Sequence, residues 1–244
     1  MPVSLLLAHA ALLARLAAPA PAPAPAPAPV PDPASVPFAV GEVLQYEATL
    51  GVFPIGTASA TVSRVTRERG VEAFVFDATG QGGPPGYRAR YDLTSWVTTG
   101  SFNSLRFHRR LVQGRSVDEE VYRIIPDSSR YHIEGKPGAW VAPSNPLDEL
   151  AFLYYLRTLP LEVGSIYRIP RYFKNGYNPI EVRVVARDTA RLPSGRTVPV
   201  LVVEASSHGT VVSVRFTDDS RRLPVALELP LPYGSVSLVL TGGA

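Results

Sequence analysis

Ser144-Asn-Pro-Leu-Asp-Glu-Leu-Ala-Phe-Leu-Tyr-Tyr-Leu-Arg-Thr-Leu-Pro-Leu-Glu-Val-Gly164 is the one stretch of the chain that reads as helix, and it lies between two long runs that read as strand. Asn145 suits an N-cap and Pro146 the first helical position, while Asp148 and Glu149 put negative charge on the first turn, where unpaired amides are partly positive. Leu147, Leu150, Ala151, Leu153, Tyr154 and Thr158 recur at three- and four-residue spacing, so one broad face is apolar. Pro160 stops the segment. A solitary helix with such a face, set between strands, packs on or plugs the sheet those strands make.

Working outward toward the N-terminus, Phe38–Leu50 opens the folded part, with Val43, Gln45 and Glu47 alternating against Leu44, Tyr46 and Ala48 as a half-buried strand requires. Ile55–Val65 alternates again, and its small residues permit close packing or a bend at Gly56. Val71–Thr79, Tyr87–Thr98, Ser104–Val112, Val117–Pro126 and Arg130–Gly135 continue the series, with a glycine- and proline-rich corner at Gly80–Gly86. After the helix the strands resume as Ile166–Phe173, Ile180–Ala190, Val198–Ser206, Val211–Thr217, Val225–Leu229 and Ser235–Leu240. Asn175-Gly176 is the strongest two-residue hairpin signal. The fold class expected is mainly β, a curved antiparallel sheet or partly closed β-barrel of roughly a dozen strands with one short α-helix packed on it, because so wide a flat sheet leaves two long edges.

The 244-residue chain is long enough for one large β domain, expected over residues 38–244. Ahead of it, residues 1–18 have the apolar core of a signal peptide, too short to span a bilayer, although no Lys or Arg precedes that core and Arg15 follows it. Residues 19–37 form an Ala/Pro-rich linker, whose near-strict alternation favours extended polyproline II over sheet or helix. At about 3.1 Å per residue the alternating part, Pro19 to Pro33, could span roughly 45 Å. Export to the periplasm or cell envelope is the expectation, with no transmembrane helix.

Net charge is +3, and Lys136 and Lys174 are the only lysines. The arginines alternate with acids along strands, as in Tyr87-Arg-Ala-Arg-Tyr91 and Arg106-Phe-His-Arg-Arg110, which fits a solvated strand face better than a nucleic-acid surface. No nucleic-acid partner is expected. The chain has no cysteine, which removes disulfides, thiolate metal sites, cysteine nucleophiles and a lipid-bearing cysteine.

A set of short motifs gives the chain a resemblance to a known family. Phe38, Gly41-Glu42-x-Leu44-x-Tyr46 and Gly56 stand at the start; Asp148, Tyr154-Tyr-Leu-Arg157, Pro160-Leu161 and Gly164 in the middle; Pro193-x-Gly195, Thr217-Asp218, Arg222-x-Pro224-Val225 and Gly234 toward the end. In that order and spacing they resemble the bacterial DUF3108 proteins, over essentially residues 38–240. The resemblance implies an exported, β-rich protein without an assigned activity, and it supplies no catalytic residue.

Chemistry-bearing patterns are sparse. His9 belongs to the leader, and His108, His132 and His208 are scattered, with no metal-binding spacing among them, so no metal or cofactor is expected. There is no G-x-S-x-G elbow and no P-loop. The acid pairs Asp118-Glu-Glu120, Asp148-Glu149 and Asp218-Asp219 read as strand faces, a helix start and a turn. No catalytic residue is assigned. The candidate ligand-binding group is Tyr154, Tyr155 and Arg157: Tyr154 would join the core while Arg157 and Tyr155 line the rim of an apolar cavity that takes a lipid or other amphiphile with an acidic head. Three functions remain open from sequence. They are a non-enzymatic binding protein for an apolar or amphiphilic envelope ligand, an interaction module that docks another envelope protein through a sheet edge, and a hydrolase with a site assembled from distant residues.

Overall fold

A computed structural model describes residues 26, 27, 29, 35–83, 88–231 and 234–243. The leader expected over residues 1–18 lies outside the described residues, as does most of the linker and the corner at 84–87.

The strands run in chain order as β1 (Ala26–Pro27), β2 (Val43–Leu50), β3 (Phe53–Glu68), β4 (Val71–Gly82), β5 (Ala89–Thr98), β6 (Ser104–Gln113), β7 (Ser116–Ile125), β8 (Arg130–Ile133) and β9 (Trp140–Val141). The helix α1 (Glu149–Arg157) follows, then β10 (Ile166–Ile169), β11 (Ile180–Arg191), β12 (Thr197–Ser207), β13 (Thr210–Thr217), β14 (Pro224–Leu231) and β15 (Gly234–Gly243). They form one sheet of 15 strands in the order β1-β10-β11-β12-β13-β14-β15-β2-β3-β4-β5-β6-β7-β8-β9. Two meanders, β2 to β9 and β10 to β15, are joined by antiparallel pairing of the last strand with β2. The sheet is antiparallel except for β1, which lies parallel to β10. It curls, as expected from sequence, and does not close, a point the sequence left open.

Alternation sets which face turns inward. In β2, Leu44, Tyr46 and Ala48 are buried while Val43, Gln45 and Glu47 are exposed. Register shifts interrupt several pairings, at Ala48/Thr49, Val62/Arg64, Trp96/Val97 and Val184/Ala186 among others, and such bulges add the local bend that lets a wide sheet curl.

The seam between β9 and β10 is where the chain passes through α1. Leu147 forms an isolated parallel bridge with Tyr172: its N–H donates to the Arg171 carbonyl at 2.5 Å, and the Phe173 N–H donates to the Leu147 carbonyl at 2.9 Å. On the other side, the Ser104 N–H at the start of β6 donates to the Pro146 carbonyl at 2.8 Å. The segment ahead of the helix is thus a strap between the two halves of the sheet.

That strap corrects the expected start of the helix. Asn145 and Pro146 are not its cap and first turn; the N-cap is Asp148, whose carboxylate accepts from the Leu150 and Ala151 amides, and the helix proper spans Glu149–Arg157. Backbone bonds across the seam outweigh the local preference of Pro146 for a helical first turn. The helix is also buried around most of its circumference rather than on one face, since Leu150, Ala151, Phe152, Tyr154, Tyr155, Leu156 and Arg157 are all buried. It sits inside the curl.

Two further expectations change. Asn175-Gly176 does not form a two-residue hairpin; Asn175–Tyr177 is a 3-10 turn within the longer connection from β10 to β11. The Ala-Pro tract does enter the sheet, because Ala26 and Pro27 pair with Tyr167 and Arg168. Proline is tolerated there because the pairing is two residues long and lies at an edge.

Candidate functional site

The two ends of the curled sheet are filled differently. At the end holding the turns 69–70, 99–103 and 218–223, large side chains pack solid. Tyr154 stacks on Phe76 with centroids 4.0 Å apart, and Phe38 makes edge contacts with Phe74, Phe76 and Tyr154. At the other end, between the turns at 51–52 and 208–209, the inward positions of β3 and β4 are small: Gly56, Ala58 and Ala60 pair with Gly82, Gly80 and Ala78. Those side chains cannot reach across the curl.

The result is an open-mouthed cavity of about 850 Å³. Leu150, Leu153 and Leu156 of α1 form its floor, and its walls come from β2 to β5 and β12 to β15, with Tyr46, Leu93, Val214, Leu227 and Leu238 facing one another across it. Gly56 and Gly82 are required by close approach: a Cβ on Gly56 would lie 2.0 Å from the Gln81 carbonyl oxygen, and one on Gly82 would lie 2.1 Å from that of Ile55. No arginine or lysine lines the cavity. Its one carboxylate is Glu149, where Oε1 accepts from the Tyr172 hydroxyl at 2.7 Å and Oε2 has no partner among the described residues. Burial, then the charge of Glu149, pushes the Tyr91 and Tyr172 phenols above their ordinary range.

The three residues singled out from sequence do not line this cavity. Tyr154 is in the packed end, as expected, with its hydroxyl unpartnered among the described residues. Tyr155 is buried rather than at a rim: its hydroxyl donates to the Pro29 carbonyl at 2.7 Å, and the Arg171 guanidinium lies 4.7 Å from its ring centroid. The Arg157 side chain is 0% exposed and pairs with Glu42 at 2.6 and 2.9 Å, while its Nη2 also donates to the carbonyls of Pro37 and Arg221. Only its Nε lacks a partner among the described residues, and with the side chain enclosed and its charge already met by Glu42 it presents no free charge to an incoming acidic head.

Arg171, to which no sequence motif points, plays the matching role near the start of the helix. It donates to the carbonyls of Asn145 and Phe102 and to the Asn103 side chain, and burial lowers its affinity for a proton. Asp148 is also fully enclosed. Burial pushes its carboxyl up to about 7, against the Ala151 amide and the hydroxyls of Ser95 and Ser104 that favour the anion.

The other patterns are surface features. Arg90 pairs with Asp92, and Arg109 with Asp118 and Glu120, on a partly solvated strand face. His108 contacts Glu119, His132 contacts the Gly138 carbonyl and His208 lies beside the Tyr177 ring, so the histidines do not converge. Among the described residues no group of three or more His, Asp or Glu is placed to hold a metal ion. None of their helices is long and apolar enough to cross a membrane.

Comparison with known proteins agrees with this fold. A β-barrel-like protein of the domain of unknown function DUF1849 from Brucella abortus is similar in structure at a TM-score of 0.57, with 10% identity, over 90% of this chain and 99% of that one. A protein from Parabacteroides distasonis described as a candidate lipoprotein aligns at a TM-score of 0.37 with 10% identity, over 86% of this chain and 99% of that one, too distant to carry an argument. No curated protein matches the sequence. The model of the family described as "Protein of unknown function (DUF3108)" matches residues 45–241, and the chain belongs to that family.

Proposed function

We propose that this protein is a non-enzymatic binding protein of the cell envelope, which holds the apolar body of a lipid or other amphiphile in the cavity above α1. The observation that carries this reading is the cavity itself. At about 850 Å³ it lies within the roughly 300–1,000 Å³ range of small-molecule sites, and its lining is predominantly apolar. Each methylene moved into it from water contributes about 0.8 kcal/mol. With no cation in the lining, a charged head stays at the mouth in water, which revises the sequence expectation of an acidic head held by Arg157. The apolar leader over residues 1–18 and the Ala/Pro-rich tract support export.

The alternative of docking through a sheet edge has less support. Among the described residues the edge strands β1 and β9 span 2 residues each, which offers little backbone for strand addition. The scattered histidines likewise give a hydrolase no converging base and nucleophile. Native mass spectrometry of protein purified from a membrane-bearing source, paired with organic extraction, tests the proposal. A co-purifying amphiphile released by solvent is the expected result, and a uniformly ligand-free protein that also fails to take up added fatty acid would overturn it.

A further inference from the structure

We infer that the rim of the cavity mouth is a docking surface for an anionic lipid bilayer. The most exposed large apolar side chains among the described residues are both at the tip of the turn joining β2 to β3: Val52 is 86% exposed and Phe53 is 72% exposed. Phe53 pairs across the hairpin with Leu50, which lines the cavity, so the exposed tip is continuous with the cavity wall. Tyr177, half exposed on the connection from β10 to β11, adds a further amphipathic ring at the same end.

The charges at that end point the same way. Arg88 and Arg115 stand exposed at adjoining turns, linked by a bond from the Gly114 N–H to the Arg88 carbonyl, and neither is in an ion pair among the described residues. Lys174 is a further cation at this end, with its ammonium over the rings of Tyr122 and Phe173. The described turns next to the cavity walls, 51–52, 83, 88, 114–115, 170–179 and 208–209, contain no Asp or Glu, while the turn 134–139 at the same end, beside the edge strand β9, carries Glu134 together with Lys136. The opposite end has Asp127, Asp218 and Asp219 in its turns. Exposed apolar side chains beside arginines that make no ion pair among the described residues match an interface that buries rings at the level of lipid headgroups while the cations meet lipid phosphates. Docked in this way, the mouth would face the acyl region from which a ligand enters or leaves. The inference rests on the rim and not on any cargo.

The test is co-sedimentation of the full chain with phosphatidylcholine vesicles and with vesicles that also contain phosphatidylglycerol. The account expects salt-sensitive binding to the anionic vesicles. Phe53→Asp should reduce partition more than tenfold, and Arg88→Gln and Arg115→Gln should each reduce it about fivefold, the effect of one cation near such a surface. Val141→Asp, at the far edge strand, should change nothing, and circular dichroism checks the fold of every variant. Absence of vesicle binding by the wild type, or equal losses in Phe53→Asp and Val141→Asp, would overturn the inference. Concentration-dependent self-association abolished by Phe53→Asp would also overturn it, by making a second copy the occupant. Uptake of a soluble fluorescent fatty acid, measured without vesicles, should survive in Phe53→Asp. Loss of uptake in the wild type with vesicle binding intact would instead remove the cavity proposal and leave the rim standing.

Discussion

Replacing Arg157 by Leu tests how the helix is held inside the sheet. The guanidinium bonds both oxygens of Glu42 and two backbone carbonyls, and lies 5.4 Å from the ring centroids of both Phe38 and Tyr154. It therefore ties the end of α1 to the segment entering β2 and to the turn before β14. In Arg157→Leu the Glu42 side chain, only 12% exposed, loses its counter-charge, and the carbonyls of Pro37 and Arg221 lose a donor. Removing one member of a buried pair costs about 3–5 kcal/mol. Against a total stability of roughly 5–15 kcal/mol, that leaves a folded but weakened protein. Urea unfolding followed by the fluorescence of Trp96 and Trp140 measures the loss. The double variant Arg157→Leu with Glu42→Leu removes both charges and should recover about 2 kcal/mol relative to Arg157→Leu, because only the carbonyls are then left short of a partner. A loss under about 1 kcal/mol in the single variant, or no recovery in the double, refutes the claim that this pair fastens the helix.

Asp148 gives a pH signature. Its folded carboxyl titrates near 7 against an ordinary value of 3.8, so between those values the folded chain keeps a proton that the unfolded chain has released. Stability from this group is therefore full below about 4 and falls as pH rises toward 7, by up to about 1.4 kcal/mol per pH unit, then levels off. Asp148→Asn should flatten that slope in unfolding titrations taken across the window, and an unchanged slope contradicts the assignment. Gly56→Ala should destabilise by more than an ordinary strand substitution, because its Cβ would meet the Gln81 carbonyl oxygen at 2.0 Å, whereas Gly80→Ala meets nothing nearer than 4.0 Å and should be close to neutral; a thermal melt of each decides.

Much of the architecture is written locally. The alternation at Leu44, Tyr46 and Ala48 names the inward face of β2 from that strand's own residues, and the apolar spacing from Leu150 to Leu156 marks the helix as something packed against a sheet. What local pattern cannot supply is the partner. Arg157 reads as a rim residue because Glu42, which neutralises it, lies 115 positions away. Asn145 and Pro146 read as a helix start because the strap's partners, Ser104, Arg171 and Phe173, are also remote. The strands β1 and β9 are too short to show a period. The cavity had a faint signal in the small residues from Gly56 to Ala60 and from Ala78 to Gly82. Taken alone, such runs suggest close packing, and only the pairing of Ala58 with Gly80 on one inward face turns them into empty volume. Several motif residues that carry the family resemblance, including Phe38, Glu42, Tyr46, Tyr154 and Arg157, meet at or next to the packed end. There, the Tyr46 hydroxyl donates to the Pro224 carbonyl at 2.9 Å.

The most direct measurement is a fatty-acid chain-length series titrated against a fluorescent probe, in wild type and in Gly80→Phe. Gly80 shares its inward face with Ala58 and has room for a side chain that grows into the cavity. The account predicts that wild-type affinity rises by about fourfold per added methylene until the cavity is full. It also predicts that Gly80→Phe, still folded by circular dichroism, stops gaining at a shorter chain. Affinity that ignores chain length, or a Gly80→Phe series that overlies the wild type, would contradict it.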